Sequence, residues 1–280
     1  MTKRVALIGH PLKRRHSAIM HNAAFEHFSI DARYELREIE AEEIPGFVSE
    51  ARRPEWFGFQ ITAPYKQTVM TYLDEIEDGA RQIGSVNSTL RREDGTLVGF
   101  NTDAPGFQRA AEGELGIRFS GLRVGVAGAG GVARAVVNAL VAAGADSVAI
   151  CDIEPSRAEG VASDFGTVVR ALPVGDRFEE ELRRVDFAVN ATTVGMMQPG
   201  VPFDPGVLQN SAVVFDLVDK PPESELLRRV RDRGLPASNG LGMLIAQAEI
   251  AFERWTGEQG AGPIMRAALE AEPPSDQPGG

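Results

Sequence analysis

The sequence is poor in cysteine, in histidine and in long apolar runs. Its single cysteine, Cys151, excludes an internal disulfide and favours a reducing compartment. The four histidines have no acid or cysteine beside them at a metal-ligand spacing, so we expect no bound metal. No apolar run approaches the roughly 20 residues of a membrane-spanning helix, so we expect no membrane partner and a cytoplasmic location.

Positive charge is also scarce, because 29 Lys and Arg residues face 40 Asp and Glu residues and leave a net charge of −11. This balance argues against nucleic acid as the main partner. An anionic small molecule must then be met by local cations and helix ends. The 280 residues allow two ordinary domains in a monomer or homodimer, and the Pro- and Gly-rich segment 273–280 is expected to be disordered.

What the sequence does contain is a glycine-rich turn between an apolar strand and a helix, at residues 123–134. Gly128 permits a tight turn, and Gly130 lets the backbone approach a ligand. The first N–H groups of the following helix would point at a diphosphate. The pattern predicts a dinucleotide site that contains Gly128, Ala129, Gly130, Gly131 and Val132. The alternative is a strand–helix turn that needs glycine only for packing.

A second apolar strand, residues 147–151, ends beside Asp152, which lies about twenty residues past the turn. A carboxylate at this position accepts hydrogen bonds from a free ribose 2′-hydroxyl and repels a 2′-phosphate. The sequence therefore predicts that NAD is preferred over NADP.

Strand and helix signals alternate along the chain in two blocks. The first block ends in a hairpin around Asp94-Gly95, which predicts a mixed sheet, and the second has strands near positions 124, 148, 168, 187 and 213 with helices between them. The fold class is therefore α/β with two domains. One is a substrate domain, residues 1–103 with C-terminal helices in about 241–272, and the other is a Rossmann-like, doubly wound NAD(P)-binding domain, residues 104–240.

Two residues have the chemistry of a proton-transfer pair. Pro64 predicts the first turn of a helix that carries Lys66, where the positive helix end disfavours the charged ammonium group. Asp103 follows a strand at the predicted domain boundary, and it suits either a helix cap or a carboxylate that shares a proton with Lys66. An amine and an acid beside a nicotinamide ring suit the interconversion of an alcohol and a ketone. The alternative for Lys66 is a solvated surface lysine.

Three other polar residues are candidates for substrate binding. Ser17 occupies the predicted N-cap of a helix over 18–28, where a hydroxyl beside Arg14 and Arg15 suits a carboxylate or serves only as a cap. Asn87 at a strand end and Gln247 within a helix offer amides to substrate hydroxyls, although each alone is also compatible with ordinary surface polarity.

Several ordered motifs resemble the shikimate dehydrogenase family over nearly the whole chain. They are GHP at 9–11 with Ser17 and His21-Asn22, TAPYK at 62–66, IGSVN at 83–87, GFNTD at 99–103, GAGG at 128–131, VNAT at 189–192 and GLGML at 240–244 with Gln247. The resemblance implies that Lys66 and Asp103 are catalytic and that Ser17, Thr62, Asn87 and Gln247 line the substrate pocket. It also implies that the nicotinamide is bordered by Thr192, Leu217 and Gly240.

The implied activity is reversible oxidation of a ring hydroxyl on a carboxylated cyclic polyol, shikimate to 3-dehydroshikimate or quinate to 3-dehydroquinate. Arg157, five residues after Asp152, corresponds to an arginine of the NAD-dependent quinate/shikimate branch, and it is predicted to bind the cofactor.

Departures from the family pattern leave the substrate open. Arg15 replaces the first serine of the carboxylate clamp, Gln60 replaces an asparagine, and Asp219 replaces a tyrosine. Arg15 could pair with the substrate carboxylate or with Asp219. The alternatives are an enzyme for a different hydroxy acid, for example one resembling an amino-shikimate, and a catalytically weak dinucleotide-binding protein.

Overall fold

The computed structural model describes residues 1–12 and 15–272. The chain divides into two compact units, each with its own sheet. Unit 1 contains Met1–Thr102 and the C-terminal segment from Gln247, and unit 2 contains Asp103–Ala246. Arg14 and the segment 273–280, for which disorder is expected, lie outside the described residues. Among the described helices, none has the length and apolar character needed to cross a membrane.

Unit 1 is built on a mixed six-stranded sheet in the order β2-β1-β3-β5-β6-β4. Its strands are Lys3–Gly9 (β1), Ala32–Glu38 (β2), Trp56–Ile61 (β3), Glu75–Ile76 (β4), Ser88–Arg91 (β5) and Leu97–Phe100 (β6). Strand β1 is parallel to β2 and β3, whereas β5 is antiparallel to both β3 and β6. The predicted mixed sheet and its terminal hairpin are confirmed.

The first part of unit 1, residues 1–102, contains three α-helices in its described residues: His16–His27 (α1), Ile44–Glu50 (α2) and Asp78–Ile83 (α3). The core beside the sheet contains an aromatic cluster among aliphatic side chains. The Phe47 ring contacts Trp56 and Phe59 edge-on, with centroids 5.5 and 5.1 Å apart. All three side chains are buried, so this cluster fixes α2 against β3 and leaves the ends of the strands free for polar residues.

Unit 2 is built on a fully parallel six-stranded sheet in the order β12-β11-β10-β7-β8-β9. Its strands are Arg123–Ala127 (β7), Ser147–Cys151 (β8), Val169–Ala171 (β9), Phe187–Asn190 (β10), Val213–Asp216 (β11) and Ala237–Ser238 (β12). Counted from β7, this order is that of the doubly wound dinucleotide-binding fold. The predicted Rossmann-like architecture is confirmed.

Helices cover the sheet of unit 2, as a parallel sheet requires. They are Asp103–Leu115 (α4), Gly131–Ala142 (α5), Pro155–Phe165 (α6), Asp176–Leu182 (α7) and Glu225–Asp232 (α8). Phe107 of α4 stacks on Phe119 and Phe187 at 5.4 and 6.2 Å. These rings are buried, and they hold α4 against the strands that end at the candidate site of this unit.

The last two helices are Leu241–Thr256 (α9) and Gly262–Glu270 (α10). In unit 1 the indole Nε1 of Trp255 donates to the carbonyl of Thr89 at 2.8 Å, and the Gly262 N–H donates to Glu249 Oε1 at 2.7 Å. These bonds fasten the second half of α9 to the sheet and α10 to α9. Gln247 is held in unit 1 by this packing.

Candidate functional site

In unit 1, Asn87 and Gln247 lie together although 160 residues separate them in the chain. The Asn87 side chain is 3% exposed, and its Nδ2 donates to Gln247 Oε1 at 3.4 Å and to Thr102 Oγ1 at 3.0 Å. Its Oδ1 accepts the backbone N–H of Thr102 at 2.9 Å. Thr102, which sequence reasoning did not single out, therefore belongs to this cluster, and its place directly before Asp103 is the signal that could have identified it.

Thr62 follows β3 and is held against β1. Its N–H donates to the carbonyl of Ile8 at 2.9 Å. A Cβ at Gly9 would lie 2.5 Å from the Thr62 methyl carbon and 3.1 Å from the carbonyl oxygen of Ala63. A side chain at position 9 would thus displace this segment, and glycine allows the close approach that fixes Thr62.

Lys66 is half-buried, but the helix predicted to carry it is wrong. Residues 63–67 form turns, and the helix that follows is a short 3₁₀ helix over Thr68–Tyr72. The carbonyl of Lys66 accepts the N–H of Val86 at 2.9 Å, so pairing with the neighbouring segment replaces the helical hydrogen bond. Lys66 therefore does not lie at a helix N-terminus, and that part of the sequence argument fails.

Asp103 is the first residue of α4 in unit 2 and is 4% exposed. It follows Thr102 directly, so the Asn87 amide that binds the Thr102 backbone also fixes the chain where Asp103 begins. The backbone position at which Asp103 begins α4 is therefore fixed by the residue that precedes it.

Ser17 lies inside α1, and its predicted role as the N-cap is wrong. The helix begins at His16, and the residue before it, Arg15, makes no side-chain capping bond and is exposed. The Ser17 side chain is half-buried within the first turn of this helix.

Tyr34 belongs to a buried polar network that was not predicted from the sequence. Its hydroxyl donates to Gln60 Oε1 at 2.5 Å, and Gln60 Nε2 donates to Ser88 Oγ at 3.2 Å. Burial raises the pKa of Tyr34, so the phenol stays protonated and remains a donor. The departure at Gln60 was the only signal of this network in the sequence.

His21 is fully buried beside this network and is stacked on the Tyr34 ring, with centroids 4.6 Å apart. Burial lowers the pKa of His21 to about 3, an effect that the neighbouring Gln60 amide partly opposes. Neither ring nitrogen has a partner at hydrogen-bond geometry in the described chain, since the Gln60 amide bonds Tyr34 and Ser88 instead. The imidazole is therefore neutral at physiological pH.

The glycine turn of unit 2 has the geometry that a dinucleotide needs. Gly128 has φ +99°, and a Cβ there would lie 2.7 Å from the carbonyl oxygen of Ala191. A Cβ at Gly130 or Gly131 would meet nothing within 4 Å, and the N-cap Gly130 has no side chain to occupy the first N–H groups of α5. Open space above backbone donors fits a diphosphate.

Asp152 is engaged with the backbone of the turn. Its Oδ2 accepts the N–H of Ala129 at 2.7 Å, and its Oδ1 accepts the N–H of Glu154 at 2.9 Å. Arg157 forms an ion pair with Glu154 at 2.9 Å, and both side chains are about half exposed. Asp152 thus has a structural reason to be present that is independent of any ribose, and a cation, Arg157, lies in the first turn of the helix α6 that follows.

The ends of β10 and β11 lie beside the turn. Asn190 Nδ2 donates to Asp216 Oδ1 at 2.8 Å, and Asn190 Oδ1 accepts the Thr192 hydroxyl at 2.7 Å. Asp216 is buried, which raises its pKa, and it also accepts from Val218 N–H and from the Ser224 hydroxyl. This buried carboxylate ties together the two loops that leave β10 and β11.

The predicted nicotinamide-side residues are close to one another and to the glycine turn. A Cβ at Gly128 would lie 3.0 Å from Thr192 Cγ2, and a Cβ at Gly240 would lie 2.1 Å from the carbonyl oxygen of Leu217. Gly128, Thr192, Leu217 and Gly240 therefore share one end of the parallel sheet. Ligands of doubly wound folds bind at this carboxyl end.

Family comparison divides the chain in the same order as the motifs. Residues 7–89 match the shikimate dehydrogenase substrate binding domain, residues 109–197 match the shikimate/quinate 5-dehydrogenase model, and residues 240–270 match the shikimate 5′-dehydrogenase C-terminal domain.

Individual relatives cover nearly the whole chain. The shikimate dehydrogenase (NADP(+)) of Methanopyrus kandleri is 38% identical over 277 residues, which are 96% of this chain and 95% of the relative. The shikimate 5-dehydrogenase of Thermus thermophilus in complex with NADP(H) and shikimate is 36% identical, with a TM-score of 0.85 over 96% of this chain and 100% of that one. The quinate dehydrogenase of Corynebacterium glutamicum in complex with NAD is 31% identical, with a TM-score of 0.91 over 97% and 99%.

These relatives correct the cofactor prediction. The preference for NAD over NADP is wrong, because curated relatives at 33–38% identity are named for NADP(+) and the Thermus structure contains NADP(H), although the quinate dehydrogenase contains NAD. The prediction treated Asp152 as a ribose ligand, whereas both of its oxygens accept backbone N–H groups. An acid after the second strand is thus no sufficient signal for NAD.

The two sheets, the motif order and the relatives agree. The chain belongs to the shikimate dehydrogenase family and is an NAD(P)-dependent oxidoreductase of the shikimate/quinate dehydrogenase type.

Proposed function

We propose that the protein interconverts shikimate and 3-dehydroshikimate, with NADP(H) as the cofactor. The observation that carries this proposal is the cluster of Asn87, Thr102 and Gln247, whose amide and hydroxyl groups are bonded to one another at 3.0 and 3.4 Å. Such a preformed set of donors and acceptors suits a ligand with several ring hydroxyls. The names of the relatives at 33–38% identity support the choice of shikimate and NADP.

In the proposed mechanism Lys66 holds or releases the proton of the reacting hydroxyl. Asp103 acts with it as the second proton-transfer group, and the bond between Asn87 and the Thr102 backbone orients the chain that carries this carboxylate. The bound dinucleotide supplies hydride transfer to or from the ring carbon. The side chains of this chain therefore supply proton transfer and orientation.

The remaining residues of unit 1 hold the substrate. We assign the ring hydroxyls to Asn87 and Gln247, and the carboxylate end to Ser17 and Thr62. Arg15, which is exposed and directly precedes α1, adds a cation that would attract the carboxylate. These assignments follow the family positions, and the charges of the side chains suit the ligand.

In unit 2 the turn Gly128 to Val132 would hold the diphosphate of the dinucleotide through backbone N–H groups. Its nicotinamide would be bordered by Thr192, Leu217 and Gly240. Arg157 would provide the positive charge for the 2′-phosphate, because it lies in the first turn of α6, shortly after β8, and its side chain is about half exposed.

A substrate and cofactor panel tests the proposal. The purified chain would be assayed with shikimate, quinate and an amino-substituted shikimate, each with NADP and with NAD. We expect the highest kcat/KM for shikimate with NADP. A higher kcat/KM for the amino compound would support the alternative that Asp219 selects a cationic ligand. Cofactor binding by calorimetry without turnover of any compound would contradict the enzymatic proposal.

We further propose a cytoplasmic location, where a soluble pool of the dinucleotide is available, and an assembly that is either a monomer or a homodimer. Fractionation of cells and light scattering of the purified protein measure the two properties.

A further inference from the structure

Three side chains of unit 2 are hydrogen-bonded around one carboxylate, and we call them the Asp216 network: Asn190, Asp216 and Ser224. Asp216 Oδ1 accepts Asn190 Nδ2 at 2.8 Å and the backbone N–H of Val218 at 3.1 Å, and its Oδ2 accepts the hydroxyl of Ser224. Asn190 ends β10, Asp216 ends β11, and Ser224 is the N-cap of α8. The network thus joins three segments at the carboxyl end of the sheet.

The side chains of the Asp216 network are closed off from solvent. Asn190 and Asp216 are 0% exposed, and Ser224 is 2% exposed. A buried carboxylate is costly unless donors surround it, and here every neighbour named above is a donor. A ligand therefore senses the network only through the residues that are bonded to it.

Asn190 connects the Asp216 network to Thr192. Its Oδ1 accepts both the backbone N–H and the hydroxyl of Thr192, at 2.9 and 2.7 Å. Its Nδ2 donates to Asp216 and also to the carbonyl of Val194 at 3.1 Å. A side-chain amide has two donor hydrogens and two acceptor lone pairs, and all of them are used here. The amide is therefore held in one orientation, and it fixes the position of Thr192.

Leu217 and Gly240 are attached to the same network through backbone hydrogen bonds. The N–H of Leu217 donates to the carbonyl of Asn190 at 2.9 Å. The N–H of Gly240 donates to the carbonyl of Val218 at 3.1 Å, and the N–H of Val218 is itself bound by Asp216. All the residues proposed to border the nicotinamide are therefore tied to the Asp216 network, directly or through one further residue.

The other half of the proposed dinucleotide site is fixed by a different carboxylate. Asp152 accepts the N–H of Ala129 at 2.7 Å and the N–H of Glu154 at 2.9 Å, so it holds the glycine turn and the start of the segment that leads to α6. Because each half has its own anchor, loss of Asp216 should disturb binding of the nicotinamide and spare binding of the adenosine end.

We propose that the residues of the Asp216 network are positioning residues, which fix Thr192, Leu217 and Gly240 so that these three receive the nicotinamide ring. This inference rests on the proposed function, which assigns the three residues to the nicotinamide. It also gives a role to the asparagine of the VNAT motif at 189–192. Because Asn190 is fully buried, it acts on the ring through the hydrogen bonds that it makes to Thr192 and Leu217.

The first test is Asp216→Asn, which keeps the shape of the side chain and replaces one acceptor oxygen with a donor, so that a neighbouring donor is left without an acceptor. Calorimetry would compare the Kd of NADP with the Kd of adenosine 2′,5′-bisphosphate, which carries the 2′-phosphate but no nicotinamide. We expect the ratio of the first Kd to the second to rise about three- to tenfold, the value of one hydrogen bond. An unchanged ratio would overturn the inference.

Asp186→Asn is the matched control. Asp186 directly precedes β10, at the opposite end of that strand from Asn190, and its carboxylate accepts bonds from Arg123 at 2.9 Å and from Gln209 at 3.2 Å. The substitution also weakens a hydrogen-bonded carboxylate of unit 2, but it should leave the ratio unchanged. Circular dichroism and thermal unfolding confirm that both variants fold. An equal rise in the control would mean that loss of stability alone weakens nicotinamide binding, and it would contradict the inference.

A pair of substitutions at Thr192 keeps the inference testable if Asp216→Asn does not fold. Thr192→Val keeps the shape and removes the hydroxyl that Asn190 binds, whereas Thr192→Ser keeps that hydroxyl. We expect Thr192→Val to raise the ratio of Kd values by more than Thr192→Ser does. Equal effects of the two substitutions would show that the bond to Asn190 does not position Thr192, and the inference would fail.

The parent protein separates this inference from the proposed function. If the parent binds neither NADP nor the bisphosphate, the assignment of the cofactor site fails and the inference fails with it. If the parent binds both compounds and Asp216→Asn leaves the ratio unchanged, only the inference fails. In the variant that combines Asp216→Asn with Thr192→Val, the effects should be less than additive, since Asp216 acts on Thr192 through Asn190.

Discussion

The two units present their candidate residues in different ways. In unit 2 the proposed dinucleotide site is made mainly from backbone: a turn with Gly128 at φ +99°, N–H groups at the start of α5 without a side-chain cap, and Gly240 against the Leu217 carbonyl. In unit 1 the proposed substrate site is made from side chains that bond one another, such as Asn87 with Thr102 and Gln247. Backbone sites depend on conformation, whereas side-chain sites depend on chemical identity.

If the site in unit 1 depends on the chemical identity of its side chains, substitution of Lys66 should have the largest effect on the reaction rate. Lys66→Ala should lower kcat by about 10²–10⁴-fold with a modest change in KM, because it removes a general acid/base. Steady-state kinetics with shikimate and NADP measures the effect. Lys3→Ala is the control, since Lys3 is also a half-buried lysine, and its ammonium donates to the Pro54 carbonyl. A kcat that stays within about twofold of the parent for Lys66→Ala would remove this residue from the mechanism.

Gly128→Ala tests the backbone site. A Cβ at φ +99° and 2.7 Å from the Ala191 carbonyl oxygen should cost about 2–4 kcal/mol of unfolding free energy and weaken NADP binding at least tenfold. Gly160→Ala in α6 is the control, because its Cβ would meet nothing within 4 Å and should stabilise the fold by about 0.5–1 kcal/mol. Urea denaturation and calorimetry report both. Equal stabilities of the two variants would contradict the strain argument.

The buried His21 makes the stability of unit 1 dependent on pH. Burial lowers its pKa from 6.5 in the unfolded chain to about 3, so the unfolded state takes up a proton first as the pH falls. The stability that the neutral ring provides is fully present above pH 6.5 and is lost progressively between pH 6.5 and about 3. Between pH 7.5 and pH 5 the loss should be about 2 kcal/mol.

His21→Phe isolates this contribution. The variant keeps a ring against Tyr34, and the difference in its unfolding free energy between pH 7.5 and pH 5 should be smaller than that of the parent. Urea denaturation at the two pH values measures it, and the exposed His27→Gln provides the control. The same pH dependence in His21→Phe and parent would show that other groups cause it.

Arg157→Ala should have the smallest effect. The side chain is about half exposed, so its interaction with a 2′-phosphate is screened by solvent. We expect the Kd of NADP to rise about threefold to fivefold and the Kd of NAD to stay the same, which corresponds to less than about 1 kcal/mol. Calorimetry with both dinucleotides checks this. Equal weakening of NAD and NADP would assign Arg157 to a part of the cofactor that the two share.

Regular structure was predictable where one local pattern decides it. The parallel sheet of unit 2 follows from buried apolar strands and the glycine turn, both of which lie within short segments. The short strand β12 was missed because two residues, Ala237 and Ser238, carry no periodic pattern. The mixed sheet of unit 1 followed from the hairpin signal around Asp94 and Gly95.

Local pattern failed where a distant partner takes over a polar group. Pro64 predicted a helix that carries Lys66, but Val86 binds the Lys66 carbonyl. Ser17 was predicted to cap a helix, but the helix begins at His16 and Ser17 lies inside it. Asp152 was predicted to select NAD, but the backbone N–H groups of Ala129 and Glu154 bind its carboxylate. In each case the residue was noticed for its chemistry, and only the fold shows which group it meets.

The two hydrogen-bonding roles of Asn87 limit how the substrate of such an enzyme could be changed. Its side-chain amide donates to Gln247 and also accepts the backbone N–H of Thr102, the residue before Asp103. Exchanging it to admit a different polyol would also release the proposed catalytic carboxylate from its anchor, so turnover and selectivity would change together. A redesign that keeps the rate must begin instead at the carboxylate end of the pocket, for example at the exposed Arg15.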